Sequence, residues 1–173
     1  MNLIITCARH LEPETEEEIL EILEELGDDD AKVVITSMSG ILTAETKLEP
    51  TFVTRKIREK ILDEPWSIRY CLRIIPIQSF IETEIDEIIK EISTKVGSIL
   101  KDETYRILIE KRNSNISSKE MISKIANNIK NKVSLDFPNK IILIEILGNK
   151  TGISIIKKSD LVSIEKTKRS LSD

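Results

Sequence analysis

Lys111-Arg112-Asn113-Ser114-Asn115 is a run of hydrogen-bond donors with almost nothing to bury. Just beyond it, Ser117 stands three residues before Glu120. That is the spacing of a capping box, in which the hydroxyl takes one N–H of the helix start and the carboxylate reaches back for another. A helix start beside Lys and Arg attracts anions, because its unpaired N–H groups and the helix dipole both favour negative charge. Phosphate is the guest such a place would take. The same composition also suits an ordinary solvated loop, and the run alone leaves both readings open.

Such residues need a strand in front of them and a helix behind. Residues 105–110 read as the strand, 111–116 as a polar turn and 118–128 as the helix. Met121, Ile122, Ile125, Ala126 and Ile129 form the buried stripe of that helix, leaving Lys119, Lys124 and Asn128 toward water. Further strands are expected at 140–147 and 152–157, turning at Gly148-Asn149, and a long helix at 82–101 with its isoleucines on one face. In the first half, a strand at 2–8 precedes a helix that Thr15 and Glu18 open as a second capping box and Gly27 ends. A hairpin follows over 32–38 and 41–47, then a helix over 51–62 behind Pro50, and a strand at 66–75. Alternation along that last strand places Arg69, Cys71 and Arg73 on one face. The order β-α-β-β-α-β up to Pro76 is the ferredoxin-like arrangement. The chain is therefore expected to be α+β, with a first domain at 1–76, a second at 77–165 and a frayed basic tail at 166–173.

Composition narrows the chemistry. Residues 1–50 hold 3 basic and 13 acidic side chains, whereas 104–173 hold 14 and 7, so an acidic whole of net −4 carries a basic C-terminal part. That asymmetry points to a localised anion-binding face. Aromatics are only 3%, too few for the stacked platform of the common single-strand RNA modules. The chain has five glycines, none in a phosphate-cradling loop of the Walker or dinucleotide type. Cys7 and Cys71 lack metal-ligand spacing and read as buried thiols, and His10 has no nucleophile beside it. Glu14, Glu16, Glu17, Glu18 and Glu21 suit a helix N-terminus better than a metal. No apolar stretch approaches the roughly 18 residues of a membrane span. The expectation is a cytoplasmic binding module that needs no cofactor or metal and is not an enzyme.

Three segments carry a resemblance: Arg-Tyr-Cys-Leu-Arg-Ile-Ile-Pro-Ile at 69–77, Tyr-Arg-Ile-Leu-Ile-Glu-Lys-Arg-Asn at 105–113 with Ser-Ser-Lys-Glu at 117–120, and 140–147 leading into 152–158. Together they resemble THUMP-domain proteins, in particular the stand-alone THUMP adaptors of tRNA N4-acetylcytidine formation. The resemblance implies a ferredoxin-like domain followed by an α-β-α-β-β THUMP domain. It also implies recognition of the tRNA acceptor and 3′ end without catalysis, and a separate acetyltransferase-like enzyme as second partner. By position, Lys111, Arg112 and Asn113 fall on the family's basic turn, and Ser117 and Lys119 on the start of its next helix. Arg69 and Arg73 fall on arginines that either bind RNA or tie the domains together. Arg106 and Lys150 complete the expected RNA-binding set. Two alternatives remain: a ferredoxin-like protein-interaction or ligand-sensing module, and the detached head of a split thiouridine synthetase or methyltransferase. Convergence of Arg106, Lys111, Arg112, Lys119 and Lys150 would discriminate between RNA binding and a merely solvated basic surface.

Overall fold

The computed structural model describes residues 1–172. It divides the chain into two compact units, Met1–Ile77 with the segment from Ser159 onward, and Gln78–Lys158.

The first unit runs β1 (Leu3–Cys7), α1 (Glu12–Glu25), β2 (Lys32–Ile35), β3 (Ile41–Glu45), α2 (Pro50–Asp63) and β4 (Cys71–Pro76). Its strands lie in the order β2-β3-β1-β4, every neighbour antiparallel, which is the ferredoxin-like sheet. Ile19, Leu23, Val53, Ile57 and Ile61 bring the two helices onto Leu3, Ile5, Leu42 and Ile74 of the sheet.

The ends of α1 show which local signals hold. Gly27 (φ +106°) donates to Glu24 O, and Asp28 donates to Leu23 O, a Schellman closure that glycine makes without strain. The start is not where the sequence placed it. Pro13 in the first turn opens the helix at Glu12, and Thr15 lies inside it, buried, its hydroxyl donating to Leu11 O at 2.7 Å. Glu18, free of a capping role, accepts the backbone N–H groups of Arg69 (3.0 Å) and Tyr70 (2.8 Å) instead.

The strand expected at 66–75 is also corrected. It begins only at Cys71, and Arg69 lies before it, so Arg69 and Arg73 do not share a strand face. A bulge between Thr6 and Cys7 shifts the register so that Cys7 opposes Cys71, both buried and both free thiols. Cys71 and Ile74 consequently face the same core while Leu72 is exposed.

A third correction concerns the C-terminus. A two-residue strand β9 (Val162–Ser163) pairs with β4, and α5 (Ile164–Arg169) follows it. Val162 and Ile164 are buried in the first core, Ser163 caps α5, and the Lys168 ammonium donates to Ile68 O at 2.9 Å. Arg58 donates to Ser159 O (3.0 Å) and Leu161 O (2.9 Å). Residues 159–165 thus belong to the first unit, not the second, and 166–169 are helix, not frayed tail; Asp173, the last residue of the expected tail, lies outside the described residues.

The second unit runs β5 (Ser79–Glu82), α3 (Ile85–Ser93), β6 (Tyr105–Arg112), α4 (Ser118–Ala126), β7 (Lys140–Leu147) and β8 (Lys150–Ile156). Its sheet order is β5-β8-β7-β6, with β6 parallel to β7 and the other pairs antiparallel. The helix expected over 82–101 is shorter. Ile81 pairs in β5, and the helix spans only Ile85–Ser93 before a 3-10 turn at Val96–Ser98. The hydroxyls of Ser93 and Thr94 bond back to Lys90 O and Glu91 O, each at 2.6 Å, the local competition that makes these residues poor helix continuers. Ile88, Ile92, Met121 and Ile125 cover Tyr105, Ile142, Ile144, Ile146, Ile153 and Ile155, a core built almost wholly from isoleucine. Because β6-α4-β7 is a parallel crossover, the N-terminus of α4 necessarily lies at the carboxyl end of β6.

Candidate functional site

The carboxyl ends of parallel strands are where open α/β sheets commonly place ligands, and here that end is cationic. Lys111 and Arg112 are the last two residues of β6, rather than the first of a turn, and project to opposite faces of the sheet. Lys111 lies in the alternation of the core-facing Tyr105, Ile107 and Ile109, and its ammonium donates to Ile116 O at 2.8 Å, immediately before the helix cap. Asn113 adopts positive φ (+53°), a conformation asparagine tolerates better than most residues, and turns the chain toward α4. Ser114 Oγ accepts from Ile116 N, and Ser117 Oγ accepts from Glu120 N at 3.2 Å.

Only half of the expected capping box forms. The Glu120 carboxylate turns to Lys124 at 3.1 Å, one helical turn on, instead of reaching back. The N–H groups of Ser118 and Lys119 have no acceptor among the described residues, and the Lys119 side chain is exposed. Two open backbone donors and the cations Lys111, Arg112 and Lys119 therefore share one end of the unit.

Lys150 lies at the same end. Register places Arg112 opposite Leu147 and Leu147 opposite Lys150, so Arg112 and Lys150 share a face about 10 Å apart across two strand spacings. Lys150 is engaged in a contact with Glu82, and Gly148 N donates to Arg112 O at 2.9 Å, fastening the β7–β8 turn to the end of β6.

Arg106 does not join them. It is six residues earlier on β6, about 20 Å away at the rise of a strand, and donates to Leu135 O at 3.2 Å. Arg69 and Arg73 belong to the first unit; Arg73 stands in β4 between Thr6 and Ser163. The expected set thus separates into Lys111, Arg112, Asn113, Ser117, Lys119 and Lys150 at one end of the second sheet, Arg106 at its other end, and two arginines in the other unit.

The sequence reading passed over what surrounds Arg106. Between α4 and β7, Val133, Leu135 and Phe137 are exposed, Phe137 at 87%. Their alternation within an otherwise polar connection was the available signal.

The thiols are poor nucleophiles: burial raises Cys7 and pushes Cys71 well above the usual range. No group of three or more His, Cys, Asp or Glu among the described residues could hold a metal, and no helix among them is long and apolar enough to cross a membrane.

Residues 82–156 match the family model of the THUMP domain, from the last residue of β5 to the last of β8. That match covers 75 of the 173 residues, all of them in the second unit. The match ends with β8, whereas the domain was expected to run to 165. Solved structures with the same fold include PH1313 from Pyrococcus horikoshii Ot3, at 18% identity and TM-score 0.59 over 91% of this chain and 55% of that one. TrmN from Thermus thermophilus matches at 10% identity and TM-score 0.55 over 90% and 45%. A 4-thiouridine synthetase solved as an RNA complex with bound ATP matches at 13% identity and TM-score 0.54 over 91% and 42%. The chain thus spans about half the length of these structures or less. Among curated proteins, none matches the sequence significantly.

Proposed function

We propose that this chain is an RNA-binding protein of tRNA modification, and that its THUMP domain grips phosphates at the carboxyl end of β6. The observation that carries the proposal is the pairing of open helix donors with cations that have no carboxylate partner among the described residues: Lys111 and Lys119 lie on the α4 side of the sheet with the uncapped N–H groups of Ser118 and Lys119, and Arg112 projects from the same end of β6 to the opposite face. A backbone donor and a fixed cation together suit a phosphate better than either alone. Further support comes from a structural neighbour that was solved with RNA, the 4-thiouridine synthetase.

The finer reading follows the resemblance in sequence. The chain recognises the acceptor and 3′ end of tRNA, carries out no chemistry itself, and presents the tRNA to a separate enzyme that acetylates cytidine at N4. Lys150, held by Glu82, and Arg106, at the far end of β6, are secondary contacts in this account. A gel-shift titration against intact tRNA and against tRNA trimmed of its unpaired 3′ nucleotides tests it. Saturable binding of the intact molecule and weaker binding of the trimmed one are expected. Equal affinity for both would remove the 3′-end reading, and no binding at about 0.1 M salt would remove RNA binding itself.

A further inference from the structure

Phe137 has the most exposed large apolar side chain among the described residues, yet its surroundings are tied down. Asn131 Nδ2 donates to Leu100 O (2.8 Å) and Glu103 O (3.0 Å). Tyr105 N donates to Lys132 O, and Ser134 N donates back to Tyr105 O, so the connection begins as a short parallel bridge along the outer edge of β6. Phe137 N donates to Ser134 Oγ at 3.2 Å, and Asn139 Oδ1 accepts from Thr104 N at 2.8 Å. Arg106 reaches under the same connection to Leu135 O. A ring in water costs free energy, and a backbone this well anchored does not hold it there through looseness.

Within its own connection the charges flanking the ring are mostly basic, while the segment bonded to that connection adds Lys101, Asp102 and Glu103. Lys130, Lys132 and Lys140 flank it in sequence with Asp136 as the one acid between them, and none of these lysines, nor Arg106, has a carboxylate partner among the described residues. A protein partner would have to bring an acidic rim to such a surface. A single-stranded nucleic acid brings both parts of the complement at once: a base with a π face for the ring and phosphates for the cations.

We infer that Phe137 is a one-ring stacking post for an unpaired base of the bound RNA, with Arg106 and Lys132 taking the flanking phosphates. This deepens the proposed function and rests on it. The post stands at the opposite end of β6 from Lys111 and Arg112, about 20 Å along the strand, so RNA that engages both ends is held at two separated points. It is one ring, not the multi-aromatic platform that the composition argues against, and it gives contact without choosing among bases.

The test uses the full chain and two RNA hairpins of identical stem, one blunt and one with a short unpaired 3′ overhang carrying 2-aminopurine. The wild type should bind the overhang hairpin more tightly and change its 2-aminopurine fluorescence. Phe137→Ala should lose roughly tenfold on the overhang hairpin, within the range for removal of one stacking side chain, together with the fluorescence change, and nothing on the blunt one. Phe137→Trp should restore both. Arg112→Glu should weaken both hairpins alike. If Phe137→Ala leaves overhang affinity and fluorescence unchanged while Arg112→Glu weakens binding, the stacking post is wrong and the phosphate grip stands. If the wild type binds neither hairpin, RNA binding fails and the stacking post with it. A thermal melt checks that Phe137→Ala folds, as its 87% exposure leads one to expect.

Discussion

The two units differ less in architecture than in how their charges are satisfied. The first carries 12 basic and 19 acidic residues, net −7, and the second 14 and 11, net +3. In the first, cations meet acceptors: Lys47 lies near Asp28 and Asp29, Arg55 near Asp160, Lys56 near Glu59, Lys60 near Glu25 and Arg169 near Glu165, while Arg58 and Lys168 bond backbone carbonyls. In the second, Lys95, Lys124 and Lys150 are paired with carboxylates, but Arg112, Lys119, Lys130, Lys132 and Lys140 have no such pairing among the described residues. Individually such surface pairs contribute little to stability. The contrast concerns availability: seven of the first unit's twelve basic groups bond within its own chain, whereas Arg112, Lys119, Lys130, Lys132 and Lys140 of the second are open to a partner that supplies negative charge.

The largest expected effect on stability probes the segment that returns to the first unit. Ile164 is buried in that core, so Ile164→Ala should cost about 2–5 kcal/mol in urea denaturation. A basic tail doing nothing but adding charge would tolerate the change within about 0.5 kcal/mol, and that result would return the segment to solvent. In the second unit, Ser117→Ala removes the cap of α4 and should cost about 1 kcal/mol while also weakening RNA binding, because the helix end that meets phosphate loosens. Loss of stability with RNA affinity intact would separate the cap from the site.

The smallest effect concerns Asp28, which the first unit buries just past the end of α1. The Thr46 hydroxyl holds its carboxyl below the usual range, assisted by the N–H groups of Lys47 and Asp30 and opposed by burial. A carboxyl whose pKa is lowered by folding contributes fully above the ordinary carboxylate range and loses that contribution as pH falls through its lower folded value. Asp28→Asn should therefore flatten the acid limb of a stability–pH curve without altering the salt dependence of RNA binding. An unchanged acid limb would mean that Asp28 titrates in the folded chain as it does in the unfolded one.

Much of this was legible where the signal is local. Ser117 before Glu120, Gly27 after a helical stripe and Gly148-Asn149 between two apolar runs each sit within a few residues of the feature they specify, and each appears in the fold. The cationic end of β6 was likewise readable, because Lys111, Arg112 and Ser117 are neighbours in sequence. What escaped depends on distant partners. β5 is four residues whose identity as a strand rests on β8, some seventy residues on, and β9 is two residues placed by β4. The opposition of Cys7 and Cys71 depends on a bulge that no residue pattern announces. Arg106 was grouped with Lys111 and Arg112, which stand only a few residues further on in sequence, yet a strand separates its ends by its own length.

Arg112 decides the central claim. It is partly exposed, has no carboxylate partner among the described residues and is the last residue of β6, at the cationic end of the sheet, so reversing its charge removes one phosphate contact and adds a repulsion. The direct measurement is tRNA affinity of wild type and Arg112→Glu across a salt series, with unfolding followed in parallel. The account predicts at least a tenfold loss, about 1.4 kcal/mol, and a log–log salt slope shallower by about 0.7–0.9 for the lost contact. Stability should shift by no more than about 0.5 kcal/mol. If affinity and slope both survive the substitution, the run from Lys111 to Ser117 is a solvated loop and the phosphate grip is wrong.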